Sequence, residues 1–384
     1  MAEIKEMAEK IRQAERGETP DDAAGRAKAA KEKQERRGIA DEICKRIGNR
    51  TFEYTNRPCI IGAGSVAGEM EGQGPQAKWF DMILQDDSMG EETWEKSESK
   101  MFRTAVEYAL KDAGLHRRQI DAILCGDLLN QLMASSFMVR DLNIPFLGLY
   151  GACSTMAEGM LIGSMLIDGG FADRVACAAS SHFSTAERQY RLPLEMGSQA
   201  VPTSQRTVTG AGCALLSGSG CADKGSLSSV CIAGGVIGRV VDLGITDAAN
   251  MGAAMAPAAA DTLKRHLFDT GRTVEDYDLI ITGDLGSFGS ELFLMLLNDA
   301  GIDAGTRHLD CGNIIFSAEQ NAVCGGSGCG CSAVTMNGYI LPRMDAGEYN
   351  RILFMATGAL MSPTAGLQGE SIPGIAHGVV IERR

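Results

Sequence analysis

Short uninterrupted apolar runs recur from Arg57 onward: Cys59-Ile60-Ile61, Ala122-Ile123-Leu124-Cys125, Val175-Ala176-Cys177-Ala178, Val230-Cys231-Ile232 and Leu279-Ile280-Ile281. Continuous rather than alternating runs are what strands of a sheet covered on both faces require. The run Ile144–Tyr150, broken by Pro145, predicts a short buried strand. Small residues from Met156 to Ile167 predict a helix closed by Gly169-Gly170. Met251–Ala260, interrupted by Pro257, reads as a loop leading into a helix with Asp261 at its N-cap. The folded body is expected to begin near Arg57.

The pattern occurs twice. Asp112–Leu128 and Asp269–Leu285 match without a gap at a spacing of 157 residues, which sets Asp127 against Asp284. Each block ends a helix at a glycine suited to a left-handed cap, Gly114 or Gly271, and then runs into an apolar strand. Asp168–Val175 matches Asp345–Ile352 at a spacing of 177, and Val230-Cys231-Ile232-Ala233-Gly234-Gly235 echoes Ile60-Ile61-Gly62-Ala63-Gly64. Two copies of one β/α unit, residues 56–222 and 226–384, account for this. Residues 1–50 stand apart: 13 Lys/Arg and 11 Asp/Glu make them +2, against −15 for the rest. Mixed charge with many alanines predicts an exposed helix or a disordered arm there.

Composition narrows the function classes. The net charge of −13 over 384 residues, without a basic stripe, argues against nucleic acid as a partner. The N-terminus lacks an apolar signal segment, and no uncharged run approaches a membrane span, so a soluble or peripheral protein is expected. The twelve cysteines sit mostly inside apolar runs, which reads as free thiols in a reducing compartment. Cys324, Cys329 and Cys331 depart from paired metal-ligand spacing, and Gly62-Ala63-Gly64 and Gly210-Ala211-Gly212 lack the full dinucleotide fingerprint, so neither metal nor nucleotide is expected.

The candidate chemistry centres on Cys153, in Gly151-Ala152-Cys153-Ser154-Thr155 at a strand-to-helix turn. Unpaired N–H groups and the dipole at a helix N-terminus favour an anion, which would make such a thiol acidic and nucleophilic. Simple packing of a buried cysteine is the competing reading.

Two matched β/α halves with a lone cysteine at this turn resemble the thiolase fold. The resemblance implies a five-layered α-β-α-β-α body whose nucleophilic cysteine caps a central helix of the first half; the duplication places Gly330 opposite Cys153. Closer words are Gly126-Asp127-Leu128-Leu129-Asn130-Gln131, Ser180-Ser181-His182, Thr185-Ala186-Glu187-Arg188-Gln189, Ala322–Cys329, Ala356–Leu360 and Ile372–Val379. With these the chain resembles the stage V sporulation protein AD family of endospore formers across residues 57–384.

That resemblance implies binding of dipicolinic acid (pyridine-2,6-dicarboxylate) and its uptake into the developing spore. The protein would lie at the inner spore membrane with membrane proteins of the same operon, as a homodimer without a cofactor of its own. Condensing enzymes of the fold use His/His, His/Asn or a second Cys from loops of the second half. Here those loops read Gly283-Asp284-Leu285-Gly286-Ser287 and Gly328-Cys329-Gly330-Cys331-Ser332, so a binding protein without catalytic residues is expected. A flat dianion calls for N–H groups, hydroxyls and cations. The residues expected to supply them are Asn130, Cys153, Ser154, Thr155, His182, Arg188, Arg191, Ser287, Ser327, Cys329 and Ser332. Asp127 and Asp284 would lie beside a Ca²⁺ travelling with the ligand, or would cap backbone N–H groups. An acyl-transfer enzyme using Cys153 and a structural adaptor of a membrane complex remain the alternatives.

Overall fold

The computed structural model describes residues 2–15, 45–190, 201–218, 227 and 229–384. The strands of the first half are β1 (Thr51–Glu53), β2 (Cys59–Ala67), β3 (Met82–Ile83), β4 (Ala122–Gly126), β5 (Phe146–Gly148), β6 (Arg174–Ser181), β7 (Arg206–Thr207) and β8 (Gly210–Ser217). Those of the second are β9 (Val230–Val236), β10 (Leu279–Thr282), β11 (His308–Asp310), β12 (Gly326–Ser327), β13 (Arg351–Ala359) and β14 (Gly374–Arg383). The long strands pair in the order β5-β4-β6-β8-β2 in one half and β11-β10-β13-β14-β9 in the other. In each, three neighbouring strands are parallel and the next two antiparallel. The halves meet where β2 and β9 pair at Cys59 and Cys231.

Helices make the other three layers. Trp94–Asp112 and Met133–Leu142 cover the outer face of the first sheet, Met251–Thr270 and Gly286–Asp299 that of the second. Between the sheets lie Thr155–Asp168 and the run Cys329–Asp345, which passes through a π-helical turn at Thr335–Ile340. Thr155–Asp168 touches β4 and β6 on one side and β13 and β14 on the other, and an apolar, weakly amphipathic helix suits a slot buried all round. Its small residues set the spacing: a Cβ on Gly163 would come within 2.7 Å of the Cys177 sulfur.

Several expectations change. The body begins before Arg57, because β1 pairs antiparallel with β9 and Lys45 donates to Asp168. Residues 2–15 form a helix, but with Ile4, Ala8 and Ile11 buried rather than free in solvent. The strand at Phe146–Gly148 forms but is exposed, since β5 is the sheet edge. The helix around Pro257 starts at Met251, with the Asn250 side chain accepting from Ala253 N–H at 3.2 Å. Its small first turns let Gly252 meet Gly289 backbone to backbone, while Asp261 accepts from Arg50 and Arg239 instead of capping. Cys59 and Cys231 are joined as a disulfide, which corrects the all-reduced reading for this pair; the other eight described cysteines are free and buried.

Candidate functional site

Cys153 sits where sheet, turn and central helix converge. After β5 the chain makes a tight 3-10 turn at Ala152–Ser154 and enters the helix at Thr155. Ala152 takes the left-handed region (φ 48°), a conformation alanine rarely adopts, and holds the thiol at the head of the helix. Close backbone approach fixes the turn from the far side: a Cβ on Gly358 would lie 2.5 Å from Gly151 O and 3.2 Å from Ser154 N.

The second half delivers Asp284 to the same point. Its Oδ1 accepts from Thr357 Oγ1 at 2.8 Å and its Oδ2 from Gly328 N–H at 2.9 Å, and the carboxyl lies near enough to the Cys153 thiol for each to shift the other's titration. Burial pushes the Asp284 carboxyl up to about 7. Burial, and then the negative charge of Asp284, push the Cys153 thiol well above its ordinary range. The acidic thiol expected from the helix N-terminus is therefore corrected, because desolvation and a carboxylate outweigh a partial dipole charge. At pH 7.5, iodoacetamide should leave Cys153 unmodified over a period that fully alkylates free cysteine, as read by mass spectrometry of the peptide. Rapid labelling would contradict this environment.

A pocket opens over the thiol, lined by Cys153, Tyr190, Thr207, Ser327 and Gly328 with apolar walls that include Met251 and Met361. The cavity measures about 30 Å³, space for two or so waters. A ring compound enters only if the walls move, and unbranched methionines suit such movement.

The other expected residues scatter. Ser154 and Thr155 are buried at the turn, but their hydroxyls donate to Gly151 O (2.6 Å) and Ala152 O (2.7 Å). Ser332 is buried and bonds Cys329 O at 3.4 Å; Cys329 is buried with its thiol on Ser180 O. Asp127 caps the next helix, accepting from Leu129 N–H, Ser135 N–H and Ser135 Oγ. Asn130 is exposed and donates its N–H to Gln189. His182 is buried away from the pocket: Nδ1 accepts from Ser184 N–H at 3.1 Å, so Nε2 donates to Asp87 O at 3.0 Å. Arg188 pairs with Glu95 at the surface. Ser287 lies in a separate shallow groove beside Asn313 and Cys324, and Arg191 falls outside the described residues.

None of the five histidines lines the pocket. His308 bonds Thr282 Oγ1 (2.8 Å), His266 bonds Tyr277 (2.6 Å), His377 accepts from Gly238 N–H, and His116 caps a 3-10 turn. Among the described residues no cluster of metal-ligating side chains occurs.

Sequence reasoning missed Glu187 and Tyr190, which line the pocket from one face of the Phe183–Tyr190 helix at a spacing of three. Tyr190 donates to Leu128 O at 2.8 Å and pairs with the Tyr150 hydroxyl. It also missed Glu98, whose oxygens accept from Ser180 and Thr185; burial, then the Asp127 charge, lift this carboxyl to about 8. The i, i+3 spacing could have revealed the first pair; nothing local marks Glu98.

Comparison with known proteins agrees with this geometry. Solved structures of the same architecture include a variant of Xanthomonas campestris OleA bound with cerulenin (TM-score 0.57, 14% identity, 86% of this chain and 97% of that one). Human mitochondrial 3-ketoacyl-CoA thiolase in complex with CoA gives a TM-score of 0.56 at 11% identity, covering 88% of this chain and all of that one. At such identities they establish a thiolase-like fold and no more. Residues 48–382 match the family model for stage V sporulation protein AD. The Bacillus subtilis (strain 168) stage V sporulation protein AD is 44% identical over 339 residues, 88% of this chain and 98% of the relative. The family match begins at residue 48 and leaves residues 1–47 outside it. The chain belongs to the stage V sporulation protein AD family, sporulation proteins built on a thiolase-like body.

Proposed function

We propose that this protein binds dipicolinate in the Cys153 pocket without turning it over, and serves its uptake into the developing spore with membrane partners of the same operon. The observation that carries the reading is Asp284 against the Cys153 thiol. Acyl transfer through a thiol needs a thiolate and donors aimed at a developing oxyanion. A carboxylate at that point opposes both, and no imidazole lines the pocket. Ser327 and Thr207 bring hydroxyls suited to a carboxylated ring.

The lining has no basic side chain among the described residues and includes Glu187. A dianion enters such a site as a Ca²⁺ chelate or together with a proton, because an uncompensated charge near a buried carboxyl is costly. Ca²⁺ is thus read as cargo rather than as a resident metal. The exposed apolar edge formed by Phe146, Leu147 and Tyr150 supports a homodimer through β5. Among the described residues no helix is long and apolar enough to cross a membrane.

Calorimetric titration of dipicolinate into the full chain, with and without Ca²⁺, tests the reading. One-site binding abolished by Cys153→Trp, which fills the pocket, is expected. No heat in either condition would overturn it in favour of a structural adaptor. The left-handed Ala152 favours a second reading, a retained nucleophile turn; a mass shift on Cys153 after exposure to acyl-CoA would establish it.

A further inference from the structure

Residues 2–15 are more than an appendage. Ile4, Ala8 and Ile11 recur at i, i+4 and i+7 on one face of their helix and are each under 5% exposed, packed against the Gly286–Asp299 helix in the cluster of Leu292, Phe293 and Leu296. The next residue, Arg12, reaches Asp299 through Nε at 2.8 Å and Nη2 at 2.7 Å. An isolated helix of fourteen residues is marginal in water, so this one owes its order to the surface beneath it. The segment lies outside the family match, which begins at residue 48.

We propose that the Gly286–Asp299 face is a docking site for an amphipathic helix, and that the chain's own residues 2–15 are its resident, displaceable occupant. The recognised pattern is apolar at i, i+4 and i+7 with a cation at i+8, the cation matched to Asp299. Three buried side chains hold fourteen ordered residues, a balance that leaves the latch open to exchange. What makes docking effective is the covalent tether: residues 16–44 keep the arm at high local concentration, and their contour reaches at most about 100 Å. A helix of the same pattern from a second copy or a partner would compete for the face.

The test uses the full chain and a fluorescent peptide of residues 1–15, followed by anisotropy. Full-length protein carrying Ile4→Asp and Ile11→Asp, whose own arm cannot dock, should bind the peptide at least tenfold more tightly than wild type. Adding Asp299→Lys should remove that binding, and an Arg12→Glu peptide should recover it. Equal binding to both chains, or none to a variant that melts like wild type, would overturn the proposal. Should the double variant misfold, amide exchange of the single Asp299→Lys chain decides: exchange over residues 4–11 at least tenfold faster than in wild type supports a separable latch, and unchanged exchange overturns it.

Discussion

In Ca²⁺-free buffer, dipicolinate should bind this protein about tenfold more tightly for each unit that pH falls from 9 towards 7, and Asp284→Asn should abolish that dependence. The sign follows from the site. Burial lifts the Asp284 carboxyl to about 7, so above that pH a negative charge sits beneath the pocket-lining Cys153 and Gly328 and opposes an incoming dianion. Binding then carries a proton onto Asp284, and linkage of one proton gives one decade per pH unit. The ligand's own carboxyls are ionised throughout this window and add no slope. Asparagine keeps the Gly328 N–H contact through its Oδ1 and turns its Nδ2 to Thr357 Oγ1, at the cost of leaving the buried Thr357 O–H without an acceptor. The variant should bind the metal-free ligand at pH 8 about tenfold more tightly than wild type, a modest share of the roughly 4 kcal/mol that two charges 4 Å apart exchange in a partly screened site. Ca²⁺ should flatten the wild-type slope by supplying the compensating charge. Affinity that falls as pH is lowered would contradict this account.

Gly330→Ala should cost about 1–3 kcal/mol of folding stability, read as a shifted denaturation midpoint with an unchanged slope. Gly330 occupies the place in the second half that Cys153 occupies in the first. A Cβ there would meet Gly210 O at 2.4 Å, Ser181 Oγ at 2.6 Å and Ser181 N at 2.8 Å, two of them backbone atoms that cannot rotate away. The Gly330 N–H also donates to Ser181 Oγ at 3.0 Å, so helix and sheet are locked at this point. The chain could not carry a second cysteine here without parting the first sheet from the central layer. A midpoint unchanged by the substitution would show that β6 and β8 yield more readily than their packing implies.

What could be read before folding was largely local. Apolar runs located the strands, Gly114 and Gly271 do stand in the left-handed region after their helices, and the turn at Cys153 lies where small residues follow a short strand. Asp127 as a cap, one of its two expected roles, was legible because its partners are at most eight residues away. Contacts between the halves were not legible. The thiol's environment depends on Asp284, 131 positions away, and a rule about helix ends cannot anticipate it. Arg188 was a reasonable cation for the pocket until Glu95 claimed it across a fold contact. Ser154 and Thr155 carry the right groups, but back-bonding to the preceding turn spends them, as short hydroxyl side chains often do. The walls supplied by Met251 and Met361 belong to segments that only the assembled layers bring together.

The two ends of the sheet are unlike. At one, β5 presents Phe146 and Leu147 to solvent; at the other, His308 and Asp310 of β11 are tied to Thr282, and Asp310 also takes the N–H groups of Leu285 and Gly286. A strand edge that pairs with its own copy about a dyad uses itself up, whereas two compatible edges on opposite ends would let copies add without limit. A dimer formed through β5, as proposed, would use up that exposed apolar rim, so growth from this edge would halt at two.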